Sequence, residues 1–294
     1  MGKTGRDCAQ IYAIYGVDDW QTTVFLVLHA VFFSALSVVF LVYFEPICVF
    51  FERLVPGSSG AARFAAGFTG SVTALSAVCL FYAAGNMFYS SVSLRWEMAQ
   101  RMVGAVGDWA WVKHALDLGC DDRGILLNAV ALQLKKAGSS GRVVGLHPAG
   151  TRSLAALRTA CMEGVQEYVT CRAGDPRRVP FGDGAFDVVV SAAFVHKVGK
   201  EFGPRTAAAA AERMRVVGEV VRVLRPGGVG VVWDLVHVPE YVKRLHELKM
   251  EEIRVSERVT AFMVSSHMVS FRKPNHPILP SNQVTLDWRF NDIC

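Results

Sequence analysis

The stretch HALDLGCDDRGILLNAVAL, residues 114–132, contains a turn whose residue types suit ligand binding. The apolar run Ala115 to Leu118 ends at Gly119, and a helical pattern begins after Gly124. Glycines at a strand-to-helix turn let a ligand approach the backbone, and the amides at the helix start attract anions. Two aspartates and an arginine occupy the centre of this turn. The sequence therefore predicts an altered ligand-binding loop at 119–124.

Alternating strands and helices after Met102 must position this loop. The pattern predicts five strands, over 115–118, 142–146, 167–171, 186–191 and 229–233. It predicts helices over 125–136, 153–163, 206–224 and 239–248, and a turn at Pro226-Gly227-Gly228 that ends the third of them. It also predicts a final antiparallel hairpin from strands near 253–258 and 261–271. Such alternation indicates a mainly parallel sheet that is covered on both faces and binds ligands at the carboxyl ends of its strands.

Three blocks of this region resemble the successive motifs of class I S-adenosylmethionine-dependent methyltransferases of the small-molecule type. They are LDLGC…G, AGDPRRVPFGDGAFDVVVSAAFVH and VGEVVRVLRPGGVGVVWDL, and the similarity covers roughly residues 100–294. The resemblance implies an α/β, Rossmann-like sheet of seven strands with the last one antiparallel. It also implies S-adenosylmethionine as cofactor, and methyl transfer to a small or lipid-like acceptor.

The resemblance assigns cofactor-binding roles residue by residue. Asp117, Gly119 and Gly124 match the acid, the first glycine and the last glycine of motif I. Cys120 and Asp122 lie between them, in a loop one residue longer than the compact GCGxG of the family, and Asp122 is the expected helix cap. Three further positions are matched later in the chain: His147 stands where the ribose-binding acid is usual, Asp175 matches the acid that meets the adenine amino group, and Ser191 lines the cofactor edge.

His196 is the candidate catalytic residue. It matches a histidine that is frequent in this type of methyltransferase, where a substrate hydroxyl or amine would meet it. The ordinary pKa of histidine suits a general base. Asp234 and His237, just past the fifth strand, are candidates for the rim of the same pocket, and Asp187 is expected to be structural.

Two long apolar stretches precede this region. Trp20 to Phe44 and Phe64 to Leu94 contain no charged residue, and about 20 apolar residues suffice to cross a bilayer. We expect two transmembrane helices, at about 22–44 and 65–89, joined by a short link. A buried pair of soluble helices is the alternative. The predicted organisation is an N-terminal cytosolic segment 1–19, a membrane hairpin 20–94, a connector 95–111 and a methyltransferase-like domain 112–294.

Charge and cysteine usage restrict the partners. The net charge is +5 and no basic stripe is interleaved with aromatic residues, so nucleic acid is not expected as a partner. The seven cysteines form no C-x-x-C pair, which argues against a metal site and against a disulfide framework. The expected partners are therefore the lipid bilayer and the acceptor. A slight excess of basic residues after the second span favours a cytosolic catalytic domain.

Two functions of different classes remain open. The first is a membrane-anchored methyltransferase. The second is a catalytically inactive domain that kept the sheet, lost productive cofactor binding at the altered loop and at His147, and serves as a membrane-tethered interaction or scaffold protein. A nicotinamide-dependent dehydrogenase is a distant third, since the loop lacks the G-x-G-x-x-G spacing.

Overall fold

The computed structural model describes residues 8–17, 20–54, 58–148, 153–203, 205–261 and 264–275. The predicted segments 1–19 and 112–294 and the predicted link all extend into residues outside these ranges. The first part of the chain is helical, with α1 Cys8–Tyr15, α2 Trp20–Val42, α3 Phe44–Leu54, α4 Ser59–Ser91 and α5 Ser93–Val106.

Helices α2 and α4 form an antiparallel pair. A β-carbon at Gly70 of α4 would lie 3.2 Å from Cβ of Phe40 in α2, and Ala66 one turn earlier is fully buried. Small residues of this kind let two helices approach closely. Two helical stretches of the described chain are long and apolar enough to cross a membrane, Trp20–Val42 and Ser59–Val106, judged by length and composition. Both predicted stretches are helical, their crossing of a membrane stays a prediction, and the predicted link contains the additional helix α3.

The rest of the described chain builds one sheet with helices on both faces. Its strands are β1 His114–Leu118, β2 Arg142–His147, β3 Val169–Ala173, β4 Phe186–Ala192, β5 Leu224–Asp234, β6 Glu251–Val255, β7 Val259–Ala261 and β8 Val264–Arg272. Its helices are α6 Ile125–Lys136, α7 Ser153–Met162, α8 Ala207–Val223 and α9 Val238–Glu247. The strand order is β3-β2-β1-β4-β5-β8-β6, and β7 pairs only with β8. The first five strands are parallel, and β8 is antiparallel to β5.

The strands form the expected mixed α/β sheet, with two local differences. Seven strands lie on one path, and the eighth, β7, arises because its three residues pair with the start of β8. Strand β5 begins at Leu224 and includes the predicted turn at Pro226, because the register to β4 shifts there and Gly227 donates its N–H to the Lys273 carbonyl. The Pro-Gly-Gly segment is therefore a bulge within a strand.

Each face of the sheet buries its own apolar core. Alternate residues of β1 point to opposite faces, so Ala115 packs with α5 and α6 whereas Leu116 packs with α8 and α9. Helix α5 lies within the predicted connector 95–111, yet Met98 and Met102 are buried against the sheet. The structure thus places α5 in the packing of the sheet region, directly after α4.

Candidate functional site

The turn between β1 and α6 has the backbone that its glycines predict. Gly119 and Gly124 have φ angles of 82° and 62°, in the left-handed region that favours glycine. The Asp121 side chain closes the turn, because its Oδ1 accepts the Gly124 N–H at 2.7 Å. The expected cap at Asp122 is wrong, because the N-cap of α6 is Gly124 without a side-chain hydrogen bond, and the Asp122 side chain is exposed. The extra residue of the loop is accommodated by the Asp121 hydrogen bond.

A cavity lies beside this turn, at the carboxyl ends of β1, β4 and β5. It has a volume of about 50 Å³, and its walls include the predicted residues Asp117, Gly119 and Cys120. The sequence did not predict a site role for the following wall residues: Arg95, Asp121, Ile125, Leu126, Ala193, Lys197 and Trp233. Sequence reasoning missed Arg95 because it lies in the predicted connector. The sequence shows a cation after an apolar span, but it does not show the packing that turns this side chain toward the cavity.

The electrostatics of the cavity follow from burial. Full burial, reinforced by the nearby Asp121 charge, raises the pKa of Asp117 to about 8, although the Cys120 thiol and the Leu127 N–H donate to it. Burial and the same two carboxylates raise the pKa of Cys120 well above its usual value. Partial desolvation and then the Arg95 charge lower the pKa of Lys197. Asp117 is therefore largely protonated at neutral pH, and the thiol is not a nucleophile.

A second, larger cavity of about 460 Å³ adjoins the first. It is lined by the predicted Asp175, together with Pro148, Gly174, Pro176, Arg177, Phe194, Lys197, Val198 and Glu201. Phe194 stands between the two cavities, because a β-carbon at Gly119 would overlap its ring. The residue before it, Ala193, has a φ of 48°, which is strained for a non-glycine residue. A ligand that occupies both cavities requires the Phe194 ring to move.

The remaining predicted cofactor residues sit at the strand ends around these cavities. His147 ends β2 and is buried, with its Nδ1 3.3 Å from the Pro148 carbonyl. Asp175 is exposed, and its Oδ1 accepts the Arg177 N–H at 2.9 Å. Ser191 is fully buried, and its hydroxyl donates to the Leu118 carbonyl at 2.8 Å, which ties β4 to β1. In the structure described here, the Ser191 hydroxyl is thus engaged with the sheet.

His196 and Asp234 form a hydrogen-bonded pair. The His196 ring Nδ1 contacts Asp234 Oδ1, and the His196 backbone N–H donates to Oδ2 at 2.8 Å. Asp234 is fully buried at the end of β5 and also accepts from the Leu235 N–H at 2.8 Å and the Tyr241 hydroxyl at 3.0 Å. Burial, followed by the Asp234 charge, raises the pKa of Tyr241, so this hydroxyl stays a donor. The carboxylate thereby orients the imidazole.

His237 belongs to a separate polar cluster. Its Nδ1 lies 2.9 Å from Glu240 Oε1 and 3.4 Å from a guanidinium nitrogen of the buried Arg213. These groups connect α8 to α9, and His237 is not among the residues that line the two cavities. Asp187, at the opposite end of the sheet, accepts the backbone N–H groups of Lys113 and His114, which fits the expected structural role.

Metal ligation finds no support in the described part of the chain. No group of three or more histidine, cysteine, aspartate or glutamate side chains there could hold a metal ion. The cavities combine glycine backbone with cationic side chains, and His196 is not among the residues that line them. The residues fit a polar organic ligand with an anionic end, because the first cavity has a left-handed glycine turn and two cationic side chains in its walls.

Sequence comparisons give a family match and a relative for this chain. Residues 116–232 match the family described as "Methyltransferase domain". A demethylmenaquinone methyltransferase from Thermus thermophilus is 30% identical over 159 residues, which cover 52% of this chain and 66%, slightly under two thirds, of that protein.

Two solved structures have a similar chain trace at low identity. A SAM-dependent O-methyltransferase from Thermotoga maritima is 17% identical, with 62% of this chain and 66% of that chain covered and a TM-score of 0.48. A SAM-dependent methyltransferase from Aquifex aeolicus is 18% identical, with 59% and 88% covered and a TM-score of 0.43. Taken with the family match, the sheet and its motifs support a class I methyltransferase domain, for which S-adenosylmethionine is the cofactor.

Proposed function

We propose that this chain is a membrane-anchored methyltransferase that transfers a methyl group from S-adenosylmethionine to a small or lipid-like acceptor. The observation that carries the proposal is the His196–Asp234 pair, in which the carboxylate at the end of β5 orients an imidazole at the carboxyl edge of the sheet. His196 itself lines neither cavity, but the nearby Phe194 and Lys197 do. An oriented imidazole at this edge can serve as a general base toward a hydroxyl-bearing acceptor.

The cofactor would occupy both cavities. Asp117, Gly119 and Cys120 border its amino-acid end, and Asp175 borders its adenosine end. His147 lies at the neighbouring strand end and offers a ring nitrogen to the ribose region. When bound, the cofactor supplies an electrophilic methyl group. The sheet contributes alignment and a largely dry environment, which are the main requirements of an in-line displacement.

His196 would act as the general base. Its Nδ1 is held by Asp234, so the proton is fixed on that nitrogen and Nε2 is left to accept a proton from the acceptor. Tyr241 donates to the same carboxylate and keeps it in place. Because Asp234 is fully buried, water does not compete for this hydrogen bond.

The acceptor proposal combines the helices with the relative from Thermus. That protein is named for demethylmenaquinone, a quinone. For this chain we propose a lipid-like acceptor that carries a hydroxyl or quinone group. Helices α2 and α4 are supported as a membrane anchor by their length, their apolar composition and their exposure. Only 6% of the most apolar window of α2 is buried in the structure, and 17% of the corresponding window that begins in α4. An anchored domain would meet acceptors dissolved in the bilayer, on the cytosolic side.

The test is a titration of the full-length protein in nanodiscs with S-adenosylmethionine and S-adenosylhomocysteine. We expect micromolar binding that is weakened in Asp175→Ala and retained in Glu167→Ala, an exposed carboxylate in the helical turn before β3. Binding should be followed by label transfer from methyl-labelled cofactor to a component of a lipid extract. Folded protein that binds neither compound at millimolar concentration would refute the proposal.

A second candidate is a scaffold protein without catalysis. The observation that favours it is the Phe194 ring, which packs on Gly119 and divides the cofactor groove. If this ring never leaves, the domain retains its sheet but cannot bind the cofactor across both cavities. The same titration separates the two candidates, and Phe194→Ala would then create cofactor binding that the natural chain lacks.

A further inference from the structure

The glycine turn lacks one of its usual anion-binding groups. The Gly124 N–H at the start of α6 already donates to Asp121 Oδ1 at 2.7 Å. A ligand carboxylate would also meet the Asp121 charge, which repels it. The hydrogen-bond donor to an anionic ligand group must therefore lie elsewhere in the walls of this cavity.

Arg95 offers a hydrogen-bond donor for the ligand and a positive charge that offsets the charge of Asp121. It lies in the first turn of α5, and its guanidinium donates to Asp121 Oδ2 at 2.9 Å, with both side chains about one-third exposed. This contact neutralises the loop carboxylate and holds the guanidinium in the cavity wall. Lys197 adds a second cation to the same wall, while Asp117, with its raised pKa, adds little negative charge at neutral pH. The wall is net positive.

Trp233 forms another part of the same wall. This tryptophan is 3% exposed and lines the cavity. Its indole nitrogen is fully enclosed and has no hydrogen-bond acceptor among the described residues, so this N–H does not face the open space of the cavity. Arg95 and Lys197 are therefore the cationic groups of this wall that can meet a carboxylate.

We infer that Arg95 is a positioning residue that holds the amino-acid carboxylate of the cofactor. This inference rests on the proposed function. Arg95 would form charge-assisted hydrogen bonds to the carboxylate while its contact to Asp121 fixes its orientation. The helix that directly follows α4 would then complete the cofactor site.

The test compares two ligands on full-length protein. S-adenosylhomocysteine carries the amino-acid carboxylate, and 5′-methylthioadenosine lacks it. Arg95→Met should weaken S-adenosylhomocysteine binding about ten- to hundredfold, the usual size of a hydrogen bond to a charged group, and leave methylthioadenosine binding unchanged. Arg95→Lys should recover part of the loss. Arg101→Met is the matched control, because Arg101 lies on the same helix, is exposed and pairs with Glu97. It should change neither affinity.

The outcomes separate the two proposals. Equal loss for both ligands in a folded Arg95→Met protein would overturn the positioning role, and so would no loss for either. If the unmodified protein binds neither ligand, the methyltransferase proposal falls and the positioning role falls with it.

Discussion

The burial of Asp117 predicts an unusual dependence of stability on pH. The pKa of this carboxyl is raised from 3.8 to about 8, first by burial and then by the Asp121 charge. Between about pH 4 and pH 8 the folded protein therefore holds a proton that the unfolded chain has released. Because the folded state binds more protons, raising the pH through this window lowers the free energy of unfolding. Below about pH 4 both states are protonated, and above about pH 8 the loss is complete.

The size of the effect follows from the change in pKa. At 1.36 kcal/mol per pKa unit, the change from 3.8 to about 8 corresponds to about 6 kcal/mol at pH 9, which is an upper bound because water entry on ionisation reduces the effect. Asp117→Asn cannot ionise, so we expect it to match the natural chain near pH 4.5 and to be more stable at pH 9. The assay is thermal and chemical unfolding of ligand-free protein from pH 4.5 to 9.

The control for this prediction is Asp122→Asn, because Asp122 lies in the same loop with an exposed side chain. Its stability should follow that of the natural chain at every pH. If Asp117→Asn also follows the natural chain in parallel, Asp117 is ionised in the folded protein and the reasoning from burial is refuted.

Three further predictions concern the base, the turn and the anchor. Asp234→Asn should lower kcat about 10²- to 10⁴-fold with the cofactor affinity retained, because the His196 tautomer is no longer fixed; an unchanged kcat would contradict the role of the pair. Gly119→Ala should destabilise the protein by about 2 kcal/mol or more, well beyond Gly107→Ala, since both have positive φ but only Gly119 meets a ring; equal losses in unfolding assays would contradict the Phe194 contact. Leu28→Arg, at an exposed position in the middle of α2, should make the free energy of membrane insertion about 3 kcal/mol less favourable and release protein into carbonate washes. Full retention of this variant in the membrane fraction would argue against α2 as a transmembrane helix.

Local pattern predicted the elements well where the side chains follow one clear period. Alternation placed β1 and β4 within a residue or two, and Thr206 caps α8 at the predicted helix start, where its hydroxyl accepts the Ala209 N–H. Prediction was weaker where pairing with a distant strand decides the outcome. Pro226 was expected in a turn, but two hydrogen bonds keep this segment in β5: Gly227 donates its N–H to the Lys273 carbonyl, and the Gly228 carbonyl accepts the Lys273 N–H. No residue pattern close to Pro226 in the sequence indicates pairing with so distant a residue.

The residues of the candidate site also fall into those that the sequence predicts and those that depend on tertiary packing. Residues next to strand ends could be named in advance, because parallel strands bring their carboxyl ends to one edge, and His196 and Asp234 indeed meet there. Arg95 could not be named, since its role depends on how α5 docks against the sheet. The position of Phe194 over Gly119 also depends on packing between two loops that are distant in sequence.

The amino-acid sequence alone determined the alternating α/β order, the apolar pair of helices, the glycine turn and the residues at the strand ends, because each follows from short-range periodicity and backbone preference. The tertiary structure decided which charges share a cavity. It paired Arg95 with Asp121, buried Asp117 and turned the Asp121 carboxylate onto the Gly124 N–H. Charge pairing and desolvation depend on distances between elements far apart in the chain, which local sequence patterns do not encode.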